Sequence, residues 1–432
     1  MTRCVYIASS EWQVSKSAIA LGVLELFARQ VRSVGFFRPL VQSLEEDGIT
    51  TALLATNTLR HQSFEDSVGV SYEDWANDPE TAIDTIVAKY SALAERFEAI
   101  VIVGSDFDDL TYGTELDHNA LIAANLNAPV LYVCRASDRS VDEVRRMAEE
   151  AIEAFEARHN TVVAVIATRA EPEISEELSS ALREVRDVPV SVLSTNPVLD
   201  APSVGQHFEA VDATLWRGKP ESLNREALTT IIAGMSLPNL LPRLQKEATV
   251  IVPADRLDLL PALIMAHRSA TYGPLASLLL TGGFEIPETV ATLLSDSEVD
   301  LPIGMTDEDT FPTAVALREV SGVATSSPRK VELVRALFDR HVDEEALLTA
   351  IELPRAEIRT PSMFEHQLMQ MARRDLKRIV LPESTDDRVL TAADVVLKRH
   401  IAEITLLGDP GAVSRRAAEL GLNLTNATVV DP

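Results

Sequence analysis

Short apolar and β-branched runs, with helical stretches between most of them, recur through the first half of the 432-residue chain and restrict its fold more than any other feature. They stand at Cys4 to Ala8, Val34 to Phe37, Ala99 to Val103, Val130 to Cys134, Val162 to Ala167 and Val188 to Leu193. Runs without polar interruption suit strands buried on both faces, and their alternation with helices implies a mostly parallel α/β sheet with right-handed crossovers. The same pattern returns near the end. Arg378 to Leu381, closed by Pro382, predicts a buried parallel strand, and a helix over Asp387 to Arg399 follows with Val389, Leu390, Ala393, Val396 and Leu397 on one face. Ser384 or Thr385 is the expected cap, and Asp386 and Asp387 sit against the positive end of the dipole. Strand Glu403 to Leu407, helix Gly411 to Leu420 and strand Ala427 to Val430 extend this to βαβαβ. Its first loop, Glu383 to Asp387, lies at the carboxyl edge where doubly wound sheets bind ligands.

A chain of 432 residues exceeds what one core usually supports, so two to three domains are expected. Apolar residues at 46% against 24% charged give a globular balance, and no apolar run reaches the ~18 residues of a membrane span. The N-terminus does not read as a secretory signal, because Arg3 precedes only a strand-length run and Glu11 interrupts soon after; a cytoplasmic location is expected. Cys4 and Cys134 each fall inside a predicted strand, which points to packing rather than a disulfide. No Cys/His cluster has metal-ligand spacing. A formal charge of −27 argues against nucleic-acid or membrane partners, so an anionic ligand needs a local pocket of its own.

The loop after the first strand, Ser9 to Ser17, reads SSEWQVSKS and leads into an amphipathic helix from about Ser17 to Val31. A phosphate-binding loop needs G-x-x-x-x-G-K-[ST] here, since glycine lets backbone N–H groups surround a phosphate. Lys16 and Ser17 fit that pattern, but Ser10 and Ser15 occupy both glycine positions, and Trp12 sits mid-loop. Their Cβ atoms oppose the close approach. Three readings stay open: nucleotide hydrolysis, weak anion or nucleotide binding at Ser10, Ser15, Lys16 and Ser17, and a structural remnant, with the remnant favoured. Asp106, with Asp108 and Asp109, is the candidate for a magnesium-holding strand end, although solvated loops carry such clusters more often. Loop position, strand order and the helix-to-strand segment Asn119 to Leu131 resemble the dethiobiotin synthetase-like domain, a P-loop fold, without implying its activity.

Between Thr214 and Asn224 the chain turns polar and reads as a linker. A helix over Glu226 to Gly234, strand Ala248 to Val252, helix Leu257 to Ala270, strand Ser277 to Leu280, strand-like Leu301 to Met305 and helix Ser327 to Arg340 are expected after it. Asp255-Arg256 and Thr281-Gly282-Gly283 both follow strands, so one surface can carry them. The glycines permit close backbone approach, and the arginine can pair with a carboxylate or phosphate. Effector binding stands against a plain turn and surface ion pair. These residue types resemble the DRTGG domain, which occurs beside nucleotide-sensing modules. His267 and His341 read as helix-surface or packing residues.

The stretch Val342 to Arg359, with Pro354, reads as a connector, and Ser362 to Arg374 as an amphipathic helix. Beyond it, Lys377 to Glu383, Asp387-Arg388, Ala392-Ala393 and Leu407 to Pro410 look like the start of a phosphate acetyl/butyryltransferase domain. Domains are therefore expected at 1–216 (degenerate P-loop), 222–340 (DRTGG), 341–361 (connector) and 362–432 (an incomplete βαβαβ acyltransferase segment). In that order the three resemble the long bacterial form of phosphate acetyltransferase, which exchanges acetyl between coenzyme A and phosphate. The resemblance implies coenzyme A as a substrate, no tightly bound cofactor or metal, a homo-oligomer, and catalytic Ser, Arg and Asp residues beyond Pro432. Arg378, Arg388 and Lys398 form no demonstrable substitute, which implies an inactive chain. The rival expectation is a stand-alone sensor of a small anion or nucleotide.

Overall fold

The computed structural model describes the chain apart from residues 1–2, 12–14, 57–58, 60–61, 106–111, 270, 296–299, 321, 324–326, 352–367, 369–370, 399–400, 421, 423 and 432, and apart from the side chains of 112–114, 295, 398 and 418–419. Three sheets follow one another along it. The first holds β1 (Arg3–Ser9), β2 (Val34–Val41), β3 (Val68–Ser71), β4 (Ala99–Val103), β5 (Val130–Arg135), β6 (Val162–Ala170) and β7 (Val190–Ser194) in the order β3-β2-β4-β1-β5-β6-β7. Every pairing is parallel. The six expected strands are present; β3 is the addition.

Helices cover this sheet on both faces. On one side Pro79–Arg96, Tyr112–Asn125 and Val141–Ala157 contribute to a core that includes Tyr6, Ile100 and Tyr132. Local capping sets where they start: Asp78 accepts the N–H of Thr81 ahead of Pro79, and Ser140 forms a reciprocal capping box with Glu143. On the other side the helix Lys16–Ala28 packs with Val5, Ile7 and Val101, and with two helices from far along the chain, Pro328–His341 and Glu344–Ile351. Phe338 fills the space left by Gly22, where a Cβ would run into its ring. Arg335 holds Glu25 with two nitrogens, and Arg29 holds Glu344. The stretch expected as a connector with little apolar periodicity beyond one short turn contains a helix whose Leu347, Ala350 and Ile351 are buried against the first sheet. Three apolar side chains on one short face supply the reason.

The second sheet comprises β8 (Thr214–Arg217), β9 (Thr229–Ile232), β10 (Ala248–Pro253), β11 (Ser277–Thr281) and β12 (Ile303–Met305), ordered β8-β12-β11-β10-β9. Only β8 runs antiparallel. Two expectations fail here. The helix placed over Glu226 to Gly234 is strand β9, because the β-branched run Thr229 to Ile232 pairs with β10 and tertiary pairing overrides a helical reading. The linker expected from Thr214 opens instead with β8, which pairs along β12.

The third sheet is β13 (Lys377–Leu381), β14 (Ala402–Leu407) and β15 (Thr428–Val430), parallel and in sequence order. Right-handed crossovers in that order put the helices Asp387–Lys398 and Pro410–Glu419 on one face, where Leu390, Ala393 and Val413 meet Ile404 and Leu406. The buried strand expected at Arg378 to Leu381 is corrected: β13 is an edge, with Ile379 42% and Val380 52% exposed. Asp386 takes the capping role expected of Ser384 or Thr385 by accepting the N–H of Arg388 at 2.8 Å. Ser384 Oγ instead donates to the Leu407 carbonyl at 2.6 Å.

Candidate functional site

The carboxyl edge of the first sheet gathers the P-loop-like residues. Ser15 stands at φ 60°, ψ 35°, the left-handed conformation that a glycine would take, so the backbone keeps the bend at a non-glycine cost of about 1–2 kcal/mol. The polar groups of the loop are turned onto the protein itself. Ser10 Oγ shares a 2.7 Å hydrogen bond with the Tyr132 hydroxyl, and Ser15 Oγ reaches Asp200 Oδ1 at 3.5 Å. The buried Lys16 ammonium donates to the Ser105 carbonyl just past β4. Ser17 is buried in the first turn of the helix. Glu11 adds a carboxylate to the loop: it accepts the N–H of Arg135 at 3.1 Å and pairs with Arg139 at 2.7 Å. That hydrogen bond, opposed by partial burial, raises the Arg139 guanidinium above its ordinary range. A phosphate would have to displace these contacts, and an internal carboxylate already takes the arginine. Trp12, Asp106, Asp108 and Asp109 lie outside the described residues; among the described residues, no group of three His, Cys, Asp or Glu could hold a metal ion.

Next to the loop runs a buried polar chain that sequence reading missed. Tyr6 donates to Asn119 Oδ1 at 2.8 Å, Asn119 Oδ1 also accepts the Ser105 N–H at 3.0 Å, and Tyr72 donates to Glu115 at 3.3 Å. Burial, then the Glu115 charge, pushes the Tyr6 phenol well above its usual range. Cys4 and Cys134 are buried and form no disulfide with each other, and burial pushes Cys134 up to about 12, far from thiolate chemistry.

On the second sheet, β10 and β11 pair in register from Thr249 with Ser277 to Pro253 with Thr281, so the two expected loops leave one edge side by side. Each has an internal partner. Arg256 binds the Asp258 carboxylate with two nitrogens at 2.9 and 3.0 Å, while Asp255 is exposed. Thr281 Oγ1 shares a 2.7 Å bond with Thr310 Oγ1. Gly282 and Gly283 sit at φ 91° and 66°, conformations that favour glycine, and their N–H groups donate to the carbonyls of Glu308 and Thr306 at 2.8 and 3.2 Å. The geometry is that of a closed turn beside a surface ion pair. Deeper in, His207 contacts Thr249 Oγ1 at 3.1 Å and Thr249 contacts Ser277 Oγ at 2.8 Å; burial pushes His207 down to about 4. Its partners lie far along the chain, which no local motif announces. His267 accepts the Leu275 N–H at 3.0 Å, a packing role.

On the third sheet the charged residues pair among themselves. Arg378 binds Glu403 at 3.1 Å, Arg388 binds Asp386 at 2.8 Å, and Arg416 binds Asp387 at 2.6 and 2.7 Å. The side chain of Lys398 lies outside the described residues. No helix among the described residues is long and apolar enough to cross a membrane.

Family models match the chain in three consecutive segments: an AAA domain over residues 3–203, a DRTGG domain over 208–320, and a phosphate acetyl/butaryl transferase over 363–432. A phosphate acetyltransferase of Nitratidesulfovibrio vulgaris is 31% identical across all of this chain and 63% of its own length. Those of Synechocystis sp. and Escherichia coli are 27% and 25% identical, again across the whole chain, which spans 64% and 65% of theirs. The chain is thus about two thirds as long as these curated relatives. Among solved structures, a ParA family ATPase from Chlorobium tepidum aligns with 45% of this chain and 86% of its own at 13% identity and a TM-score of 0.30.

Proposed function

We infer that the chain belongs with the phosphate acetyltransferases, and we propose that its 432 residues form the regulatory and oligomerising N-terminal part of such an enzyme joined to the opening βαβαβ of its acyltransferase domain. The observation that carries this is the order of the three matched segments along one chain that aligns with those relatives throughout. The reaction proposed for the whole protein is acetyl-CoA plus phosphate giving acetyl phosphate plus CoA. In the reverse sense the thiolate sulfur of coenzyme A bonds to the acetyl carbon, the carbon–oxygen bond to phosphate breaks, and phosphate leaves with that electron pair. Coenzyme A enters as a substrate, and the proposal requires no resident cofactor.

This chemistry needs a base for the thiol, cationic groups for the phosphate and a donor for the developing oxyanion. Arg378, Arg388 and Arg416 each face a carboxylate of the same segment, which supports the proposal that these residues alone do not turn over. The self-contained contacts of Ser10, Glu11 and Lys16 support a structural role for the P-loop-like edge over nucleotide hydrolysis. The test is to purify residues 1–432, supply acetyl phosphate and coenzyme A, and follow acetyl-CoA. The expected rate equals that of the no-enzyme control; turnover above it overturns the claim.

A further inference from the structure

Three passes of the chain meet at one point between the first and second sheets. The turn Asp200 to Ser203 leaves the first sheet, Arg225 to Ala227 leads into β9, and Gly322, Val323 and Ser327 to Lys330 lie on the return from the second. Backbone bonds tie them: Val204 N–H donates to Arg225 O at 2.8 Å, Ala227 to Pro202 at 2.8 Å, and Gly322 to Asp200 at 3.0 Å. Gly322 lies so close that a Cβ there would run into the Ala201 carbonyl and meet Lys330 Nζ. Into this crossing Lys330, 1% exposed, inserts its ammonium and donates to the carbonyls of Ala201 at 2.6 Å and Val323 at 3.1 Å.

The charges around it belong to different passes. Glu226, itself buried, accepts from Ser327 Oγ at 2.5 Å and pairs with Arg329, which also binds Glu247 at 2.9 Å. Asp200 pairs with Arg169 at 2.5 Å and accepts from Ser15 of the P-loop-like turn at 3.5 Å. One residue, Asp200, therefore faces the joint with its main chain and the loop with its carboxylate. A buried ammonium is costly unless its hydrogen bonds are made, so the crossing tolerates little displacement while Lys330 stays in place.

We propose that Lys330 is the pin of an interdomain joint through which a displacement of the second domain is transmitted, by way of the Asp200–Ala201 turn, to the P-loop-like turn at Ser15. The pin operates whatever chemistry the whole protein performs. The joint makes two demands. Removing the pin must loosen both the crossing and the start of the helix Lys16–Ala28, and cutting the link at Asp200 must loosen the second of these alone.

The experiment is hydrogen exchange on the full 432-residue chain and two variants. In Lys330→Met the amides of Val204, Ala227 and Gly322, and those of Ala18 and Ile19, are expected to exchange about tenfold faster, while β4 and β10 keep their protection. In Asp200→Ala, which leaves Lys330 in place, only Ala18 and Ile19 are expected to speed up. Unchanged exchange at Ala18 and Ile19 in either variant overturns the transmission. So does an equal acceleration across β4, β10 and the joint, which marks global destabilisation. Should Lys330→Met fail to fold, Lys330→Gln, which removes the ammonium but keeps a shorter polar donor, takes its place with the same expected pattern.

Discussion

The first and third sheets are built from the same unit, a parallel strand, a loop and a helix, yet they bury it to opposite degrees. Strand β1 lies between β4 and β5 with helices above and below, and its residues from Cys4 to Ser9 are sealed from solvent. Among the described residues, strand β13 has one neighbour and helices on one face, and its Ile379 and Val380 remain open. The unit alone therefore does not decide burial; the number of neighbours does. The ionisable groups show the same division. In the enclosed sheets burial sets the chemistry, holding Cys134 up at about 12, His207 down at about 4 and the joint's Lys330 down at about 8. In the open sheet pairing sets it, as the Arg388 hydrogen bond holds Asp386 down at about 2.

The largest expected effect breaks the enclosure. Phe338→Ala removes a ring packed against Gly22 and should cost about 3–5 kcal/mol, read as a fall in the urea midpoint of the first unfolding transition. A loss below ~1 kcal/mol would mean that the late helices merely rest on the sheet. Next, the neutral His207 should make the second sheet acid-sensitive. Its folded pKa lies below its unfolded value, so its share of stability is intact above pH 6.5 and declines as pH falls toward 4, by about 3 kcal/mol in all. Unfolding midpoints across that range should slope in the native chain and flatten in His207→Gln. A smaller effect is expected of Ser15→Gly, in which relief of the left-handed backbone is offset by loss of the hydroxyl that meets Asp200, leaving the net change within about 1 kcal/mol of zero; a larger thermal shift in either direction would contradict it. The smallest belongs to the open sheet, where Val380→Thr should stay within about 0.5 kcal/mol of zero.

How far the sequence spoke follows the same line between local and distant causes. The strands of the first sheet were legible because Val5 to Ala8, Ile100 to Val103 and Leu131 to Cys134 carry the signal within themselves. So was the position of the P-loop-like turn, and so were the glycines at 282 and 283, whose positive φ is a local demand. The state of the site was not. Ser10 is occupied by Tyr132 and Lys16 by the Ser105 carbonyl, partners supplied by other strands that local spacing does not reveal. Strand β9 reads as helix from its own residues, because its pairing with β10 and not those four residues settles its conformation. The edge exposure of β13 was hidden for the related reason that neighbour number is a property of the sheet.

The late arrival of the helices Pro328–His341 and Glu344–Ile351 also has a consequence for synthesis. The apolar side of Lys16–Ala28 that receives Phe338 is made early, whereas its cover leaves the ribosome only after the whole second domain has been translated. At typical elongation rates that interval is on the order of fifteen to sixty seconds. During it the nascent first domain presents a greasy groove that only its own later residues will close, a window in which a chaperone can compete for the same surface.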